Sequence, residues 1–178
     1  MTAGVRALRL DGSTWRRMAT TATPAGAGLI VVGAYLVLAF DRFGLLGLFE
    51  VRATVRIILT GLYGWLWLVG ATWLIARWVF GLRVSPGTLV PLMGHAHLPL
   101  LLIAVFVQFV SVSLDAIGIS IWPALFAVGF WMPAMMVAAT KTALDLDWGR
   151  ALLAASLPYV IWLLVVGKTL WRQIGHLL

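Results

Sequence analysis

Cysteine is absent from this chain of 178 residues, and charged side chains make up only 11% of it. The missing thiols exclude a disulfide framework and thiol catalysis. Soluble domains carry about 25% charged and about 45–50% apolar residues, whereas this chain is 62% apolar with a mean hydropathy of +1.02. Too few charges remain to cover a surface that faces water. The composition therefore predicts an integral membrane protein.

Catalytic signatures are also lacking. The sequence contains no Ser-His-Asp arrangement, HExxH motif, phosphate-binding loop or dinucleotide fingerprint. No charged residue lies at the centre of an apolar run, where proton and ion carriers usually need one. We therefore expect a protein that is not an enzyme and that uses no cofactor and no metal. The net charge of +7 comes from Lys and Arg at the ends of apolar runs, which suits anionic lipid rather than nucleic acid.

The apolar runs predict an all-α fold, a polytopic transmembrane helix bundle with about five spans. The predicted spans are residues 25–40, 55–80, 88–114, 117–140 and 151–166. Residues 41–54 read as an interfacial link between the first two. A basic tail, residues 1–23, precedes the membrane domain, residues 24–170, and residues 171–178 form a short C-terminal tail. The basic tail suits either a short amphipathic helix on the membrane surface or a frayed terminus.

The distribution of Lys and Arg predicts the orientation of the bundle. Eight of the 13 basic residues fall on the side that holds the N-terminus, namely Arg6, Arg9, Arg16, Arg17, Arg77, Arg83, Lys141 and Arg150. This count favours a cytoplasmic N-terminus and, with five spans, an external C-terminus, in a multi-pass protein of a prokaryotic cell membrane. Tryptophans at alternate span ends predict the boundaries, with Trp15, Trp78 and Trp148 on the cytoplasmic side and Trp122 and Trp171 on the other.

The chain is organised around residues 91–99, where Pro91 and Pro99 bracket Gly94, His95 and His97. Pro99 removes a backbone donor, so it should bend this helix and leave a carbonyl that a neighbouring group must approach. The two histidines invite a metal or haem interpretation. No acidic residue or cysteine lies nearby to complete a zinc site. We expect both imidazoles to bond to backbone carbonyls or to lipid headgroups.

Further along the same predicted span, Gln108 is the one strongly polar side chain at depth. A single Gln in a membrane helix is more often an interhelical hydrogen-bonding group than a functional site, so we favour the packing role. Gly94, His95, His97, Pro99 and Gln108 together are the candidate functional or packing positions.

Small residues and charges make three local predictions. Gly61, Gly64 and Gly70 should face other helices, because small residues let membrane helices approach closely. Lys141 and Asp145 are spaced to pair on a helix. Asp147 should cap the last span.

Several segments together resemble the Yip-domain (Ypt/Rab-interacting protein) family. Leu92-Met93-Gly94-His95-Ala96-His97-Leu98-Pro99 resembles the start of that family's third span, with its glycine at Gly94 and its proline at Pro99. Ile121-Trp122 resembles the start of the fourth span. The segments 141–144 and 148–153 resemble the polar turn and the Ala-rich last span. The resemblance implies a five-span membrane protein of prokaryotic type. The short basic tail departs from the eukaryotic pattern, so Rab binding is not expected.

Our leading hypothesis is a non-enzymatic bundle that organises membrane lipid or a membrane protein partner. Its partners would be the lipid bilayer and other membrane proteins or further copies of the chain, without nucleic acid. A small transporter or channel component is the first alternative, with the region of Pro99 and Gln108 lining a path. An accessory subunit of a larger membrane complex is the second.

Overall fold

A computed structural model describes residues 12–47, 51–102 and 122–175, and all regular secondary structure in these ranges is helical. The predicted all-α class is therefore confirmed for the described residues. The helices are α1 (Gly12–Thr21), α2 (Pro24–Gly47), α3 (Val51–Trp78), α4 (Leu89–His95), α5 (Trp122–Leu144) and α6 (Trp148–Gly175). Residues 98–102 are helical again after a short break that follows α4.

Two segments of the described chain are long and apolar enough to cross a membrane, Val51–Trp78 and Trp148–Val165. A third is present if α1 and the Pro24–Val37 part of α2, which are bent by 114° at their junction, form one broken span. These segments are compatible with a membrane protein, although they are fewer than the five predicted spans. Residues 103–121, which include the second part of the third predicted span with Gln108, lie outside the described residues.

The helices extend further than the apolar runs suggested. Helix α2 continues to Gly47 and α3 begins at Val51, so most of the predicted link 41–54 is helical. Helix α6 continues to Gly175, through most of the predicted C-terminal tail. The charges that ended the apolar runs do not break a helix, because Asp, Arg and Lys tolerate helical backbone and long basic side chains reach the boundary from within it. The charges therefore mark the ends of the apolar runs and not the ends of the helices.

Side-chain contacts give the relative directions of the helices. Gly28 lies against Trp65 and Gly61 against Tyr35, so α2 and α3 are antiparallel. Gly64 lies against Trp162 near the middle of α6, whereas Arg150 at the start of α6 lies over Phe80, just beyond the end of α3. The starts of α2, α4 and α6 therefore lie at the same end of the bundle as the ends of α3 and α5.

Local sequence explains several helix ends. The Thr23 hydroxyl accepts the backbone N–H of Gly26 at 3.1 Å, and Pro24 occupies the first helical position of α2, where its missing N–H is no loss. Helix α5 ends at Leu144, and Asp145 follows with a left-handed φ of 50°. The N–H of Leu146 then returns to the carbonyl of Lys141 at 3.1 Å, a closure of the Schellman type.

Helix α4 lies at the centre of the bundle, packed against α1, α2, α3 and α5. Most of its short length is buried, and its residues Leu89, Leu92 and Met93 belong to the main hydrophobic core. The stretch around which the sequence is organised is thus also the stretch around which the other helices pack.

Candidate functional site

The central segment, residues 89–102, is a helix with an interruption. Helix α4 ends at His95, residues Ala96 and His97 form a turn, and helical backbone resumes at 98. The turn is tightened, because the N–H of His97 donates to the carbonyl of Gly94 at 3.1 Å rather than to that of Met93. The N–H of Leu101 donates to His97 in the usual helical manner. The interruption falls in the turn before Pro99, where the proline ring would meet the carbonyl of His95.

Gly94 is the closest point between α4 and α2. A Cβ atom built at this position would overlap the Cβ of Ala27 and lie 3.0 Å from its Cα. Both residues are buried, and a backbone atom cannot move aside as a side chain can. The expectation that this turn packs against another helix is therefore met, and glycine is required here for space rather than for a special φ.

Both imidazoles bond to the backbone of their own helix. His95 Nδ1 lies 2.7 Å from the carbonyl oxygen of Pro91, and His97 Nδ1 lies 3.0 Å from that of Met93. Because a carbonyl oxygen only accepts, each Nδ1 carries its proton. His95 is half-buried, whereas His97 is 1% exposed and packs its ring beside that of Tyr35, with 6.4 Å between centroids. The expected hydrogen bonds to backbone carbonyls are both present.

Neighbouring helices supply polar groups to the central segment. The indole N–H of Trp65 donates to the carbonyl of Val90 at 3.2 Å, and the buried hydroxyl of Thr140 points at the sulfur of Met93 at 3.8 Å. These contacts tie α3 and α5 to α4. Among the described residues, no group of three or more His, Asp or Glu side chains is placed to hold a metal ion. The arrangement holds a helix break in position and presents a polar, hydrogen-bonded interior.

Two of the three glycines on α3 face other helices, as predicted. A Cβ at Gly61 would overlap the ring of Tyr35, and one at Gly64 would lie 2.6 Å from Trp162. The prediction is wrong for Gly70, where nothing lies within 4 Å of the built Cβ atom. Gly61 and Gly64 lie about one helical turn apart and share a face, whereas Gly70 is rotated away from it.

A second region, the basic rim, lies at the end of the bundle where α3 and α5 end. We define it by its cations, which are Arg16, Arg17, Arg77, Arg83, Lys141 and Arg150. These are the residues that the orientation argument assigned to one side of the membrane, except Arg6 and Arg9, which lie outside the described residues. The structure thus brings to one end cations that are far apart in sequence. It also places Trp15, Trp78 and Trp148 at that end.

Three of the cations of the basic rim rest on aromatic rings. The guanidinium of Arg77 lies 5.5 Å from the ring centroid of Trp73, and the ammonium of Lys141 lies 5.4 Å from that of Trp148. Arg150 lies 5.9 Å from the ring centroid of Phe80. At these distances the negative face of the ring attracts the cation. Lys141 therefore contacts an aromatic ring. Asp145, which was predicted to pair with Lys141 on a helix, lies beyond the end of α5.

The loop that carries Arg83 is fastened to α3. The indole N–H of Trp73 donates to the carbonyl of Val84 at 2.9 Å, and the N–H of Leu82 donates to the carbonyl of Ala76 at 3.1 Å. Leu82 and Val84 also pack against the hydrophobic core. The loop therefore holds a fixed course between α3 and α4, with the side chain of Arg83 exposed.

Asp147 caps α6, as predicted. Its Oδ1 accepts the backbone N–H of Arg150 at 3.0 Å, and its Oδ2 lies 3.4 Å from Nε of the same residue. The backbone N–H of Arg150 is the main cause that lowers the pKa of this carboxyl below its ordinary value. Asp147 thus fixes the start of α6, which carries Trp148 and Arg150 into the basic rim.

Helix α1 lies across this end of the bundle. It has one buried face, formed by Thr14, Trp15 and Met18, and one exposed face, which carries Arg16 and Arg17. Trp15 is fully buried and joins the hydrophobic core. Residues 12–21 of the predicted basic tail are thus helical, and this helix is docked on α4 and α5.

Sequence reasoning missed the partners that other helices supply. Tyr35, Trp65 and Thr140 surround the central segment, and Trp73 and Phe80 lie under two cations of the basic rim. A tryptophan on a membrane helix indicates a membrane boundary or a packed core equally well. The sequence therefore could not predict which residues it contacts. The chain matches no protein-family model, no curated protein and no solved structure.

Proposed function

We propose that this chain is a non-enzymatic, five-span integral membrane protein of the Yip-domain type, which organises membrane lipid or a membrane protein partner. In this proposal it lies in a prokaryotic cell membrane with its N-terminus in the cytoplasm. The observation that carries the proposal is a contrast between two regions. In the central segment the imidazoles bond to backbone carbonyls, whereas the arginines of the basic rim are exposed. The support from resemblance rests on the segments around Gly94, Pro99 and Trp122 and on the segments 141–144 and 148–153.

The packing of the central segment supports a role in architecture. Gly94 meets Ala27 at backbone distance, and both imidazoles bond to carbonyls of their own helix. A carrier or an enzyme needs polar groups that can exchange partners with a substrate. Here Nδ1 of each histidine is bonded to the backbone of its own helix and His97 is almost fully buried, which supports a structural role for helix α4 at the centre of the bundle.

The outer faces of α3 and α6 support contact with lipid. Large apolar side chains are exposed along both helices, and these include Leu59, Leu66, Leu74, Leu157 and Leu164. A soluble monomer rarely exposes so continuous an apolar surface, whereas a bilayer covers it without cost. The surface that remains for recognition is then the pair of bundle ends.

Two measurements test the proposal against its alternatives. Purified protein in vesicles should release entrapped ions and small solutes no faster than protein-free vesicles do. Purification in a mild detergent should recover membrane lipid or a membrane protein in stoichiometric amounts. Saturable solute flux, lost on substitution of His97 or Pro99 while the protein remains folded, would contradict the proposal and favour a transporter. Recovery within a large enzyme complex would favour an accessory subunit.

A further inference from the structure

The two ends of the bundle carry similar numbers of cations. At the end opposite the basic rim, α3 begins with the exposed residues Arg52 and Arg56, and Arg42, Lys168 and Arg172 lie on the helical ends nearby. Charge alone therefore predicts no large difference between the two ends. At the basic rim, aromatic rings lie under three of the cations, and the loop fastened to α3 presents a fourth.

An aromatic ring beneath a guanidinium leaves its binding edge free. Contact with a ring does not use up the N–H donors of a guanidinium, which can bind two oxygens of a phosphate. Arg77 and Arg150 are both exposed, but Nε of Arg150 lies 3.4 Å from Asp147 Oδ2, so Arg150 can offer an anion only its terminal NH2 groups. The stacking also restricts the side chain before binding, which reduces the entropy lost when an anion is bound.

Exposed indoles flank these cations. Trp78 is 80% exposed and Trp148 is 56% exposed, and Val79 extends the apolar surface beside Trp78. Tryptophan prefers the level of lipid headgroups, where its ring is partly apolar and its N–H is hydrated. Exposed indoles do not increase the affinity for a soluble anion. A phospholipid, in contrast, has a phosphate that the cations can bind and acyl chains that the indoles can contact. The combination of outward guanidinium edges and exposed indoles therefore fits a lipid.

We propose that the basic rim binds the phosphate headgroups of anionic phospholipids in the adjoining membrane leaflet. The proposal rests on the proposed function and specifies which lipid class the bundle organises. Asp147 and Asp145 are the acidic residues of this end within the described chain, and Asp147 is engaged with Arg150 and the α6 cap. The charge of the rim is thus complementary to an anionic leaflet.

The test measures lipid selectivity with spin-labelled lipids. The full-length protein is reconstituted in phosphatidylcholine vesicles that contain spin-labelled phosphatidylglycerol or spin-labelled phosphatidylcholine, and the motionally restricted fraction gives the relative association constant. We expect phosphatidylglycerol to be preferred at low salt and the preference to fall in 0.5 M NaCl, about the concentration at which surface charges are strongly screened.

Paired substitutions locate the selective surface. Arg77→Gln with Arg83→Gln removes two charges from the rim, and Arg52→Gln with Arg56→Gln removes two charges from the other end of α3. The first pair should lower the preference by about 25-fold, because each of the two cations near a membrane surface contributes about fivefold. The second pair should leave it unchanged. Equal losses from both pairs would overturn the assignment to the rim, although selectivity for anionic lipid would still agree with the proposed function.

A soluble competitor separates lipid from free phosphate. Glycerophosphoglycerol, which has the headgroup but no acyl chains, should not displace spin-labelled phosphatidylglycerol at equal concentration. Displacement would contradict the assignment of a lipid as the ligand and would favour a soluble phosphodiester. Equal association of both spin-labelled lipids with the wild-type protein would also overturn the proposal, whereas solute flux would instead overturn the proposed function. Melting temperatures of both paired variants within about 2 °C of wild type would show that folding is unaffected.

Discussion

The central segment and the basic rim both carry polar side chains, yet they use them in opposite ways. In the central segment each imidazole is bonded to a carbonyl of its own helix, and His97 is almost fully buried. In the basic rim, Arg77, Arg83 and Arg150 are exposed, and Arg150 is also paired with Asp147. The comparison indicates that polar residues at depth serve the fold when they are engaged locally, and that recognition falls to charges held at the end.

The largest expected effect is at the contact between Gly94 and Ala27. Gly94→Ala should lower the free energy of unfolding by more than about 3 kcal/mol, the upper range for overpacking, because the new methyl group meets backbone atoms that cannot move aside. Reversible unfolding in detergent, monitored by circular dichroism, measures the change. Gly70→Ala is the matched control. It should stabilise the protein by about 0.5–1 kcal/mol, because that site is open and alanine favours helix. An unchanged free energy of unfolding for Gly94→Ala would contradict a rigid contact between α4 and α2.

His97 and His95 differ in burial, so their removal should differ in effect. His97→Ala should cost about 2–4 kcal/mol from lost packing and a lost hydrogen bond, and His95→Ala should cost less because that ring is half-buried. The same unfolding measurement compares them. Elemental analysis of the wild-type protein supplies the contradicting result. Stoichiometric zinc, copper or iron that is lost in the double variant would make the central segment a metal site.

A smaller effect is expected at Gly64, which faces a side chain rather than backbone. Gly64→Leu should cost about 1–3 kcal/mol, because the ring of Trp162 must move from a position 2.6 Å from the built Cβ atom. The melting temperature in detergent should fall accordingly. Gly70→Leu, on the open side of the same helix, should leave it nearly unchanged. Equal effects at the two sites would mean that the α3–α6 contact does not stabilise the bundle.

The smallest effect concerns Asp147 and depends on pH. Because folding lowers the pKa of this carboxyl, the carboxylate stabilises the folded protein above the ordinary value of 3.8 and loses that contribution as the pH falls through the lowered pKa. Asp147→Ala should therefore lower the melting temperature slightly at pH 7, with a gap to wild type that narrows below pH 3.8. Asp147→Asn keeps an acceptor for the cap without the charge, so it should lie between the two. A gap that widens in acid would contradict this account of the cap.

Much of this arrangement could be predicted from the chain. The helical class, the break before Pro99, the cap at Asp147 and the gathering of basic residues at one end all follow from local chemistry. The bounds of α2 and α6 could not be predicted, because charges end an apolar run without ending a helix. Gly70 shows the limit of the small-residue rule, since the sequence does not say which face of a helix meets a neighbour. The position of Trp73 beneath Arg77 and of Phe80 beneath Arg150 could not be predicted from the sequence, because it depends on how the helices pack.

The most direct test of the account is the placement of the two ends of α3 across a membrane. The chain has no cysteine, so Ser85→Cys and Arg52→Cys each introduce a single thiol, one beside the basic rim and one at the other end. An impermeant maleimide applied to sealed inverted vesicles, whose cytoplasmic face is outward, should label position 85 and leave position 52 unlabelled. Intact spheroplasts should give the reverse. Asp115→Cys, which the five-span topology puts on the same side as position 52, should behave as position 52 does. Labelling of positions 85 and 52 from the same side would contradict a membrane-spanning α3 and, with it, the contrast between a buried centre and a basic rim.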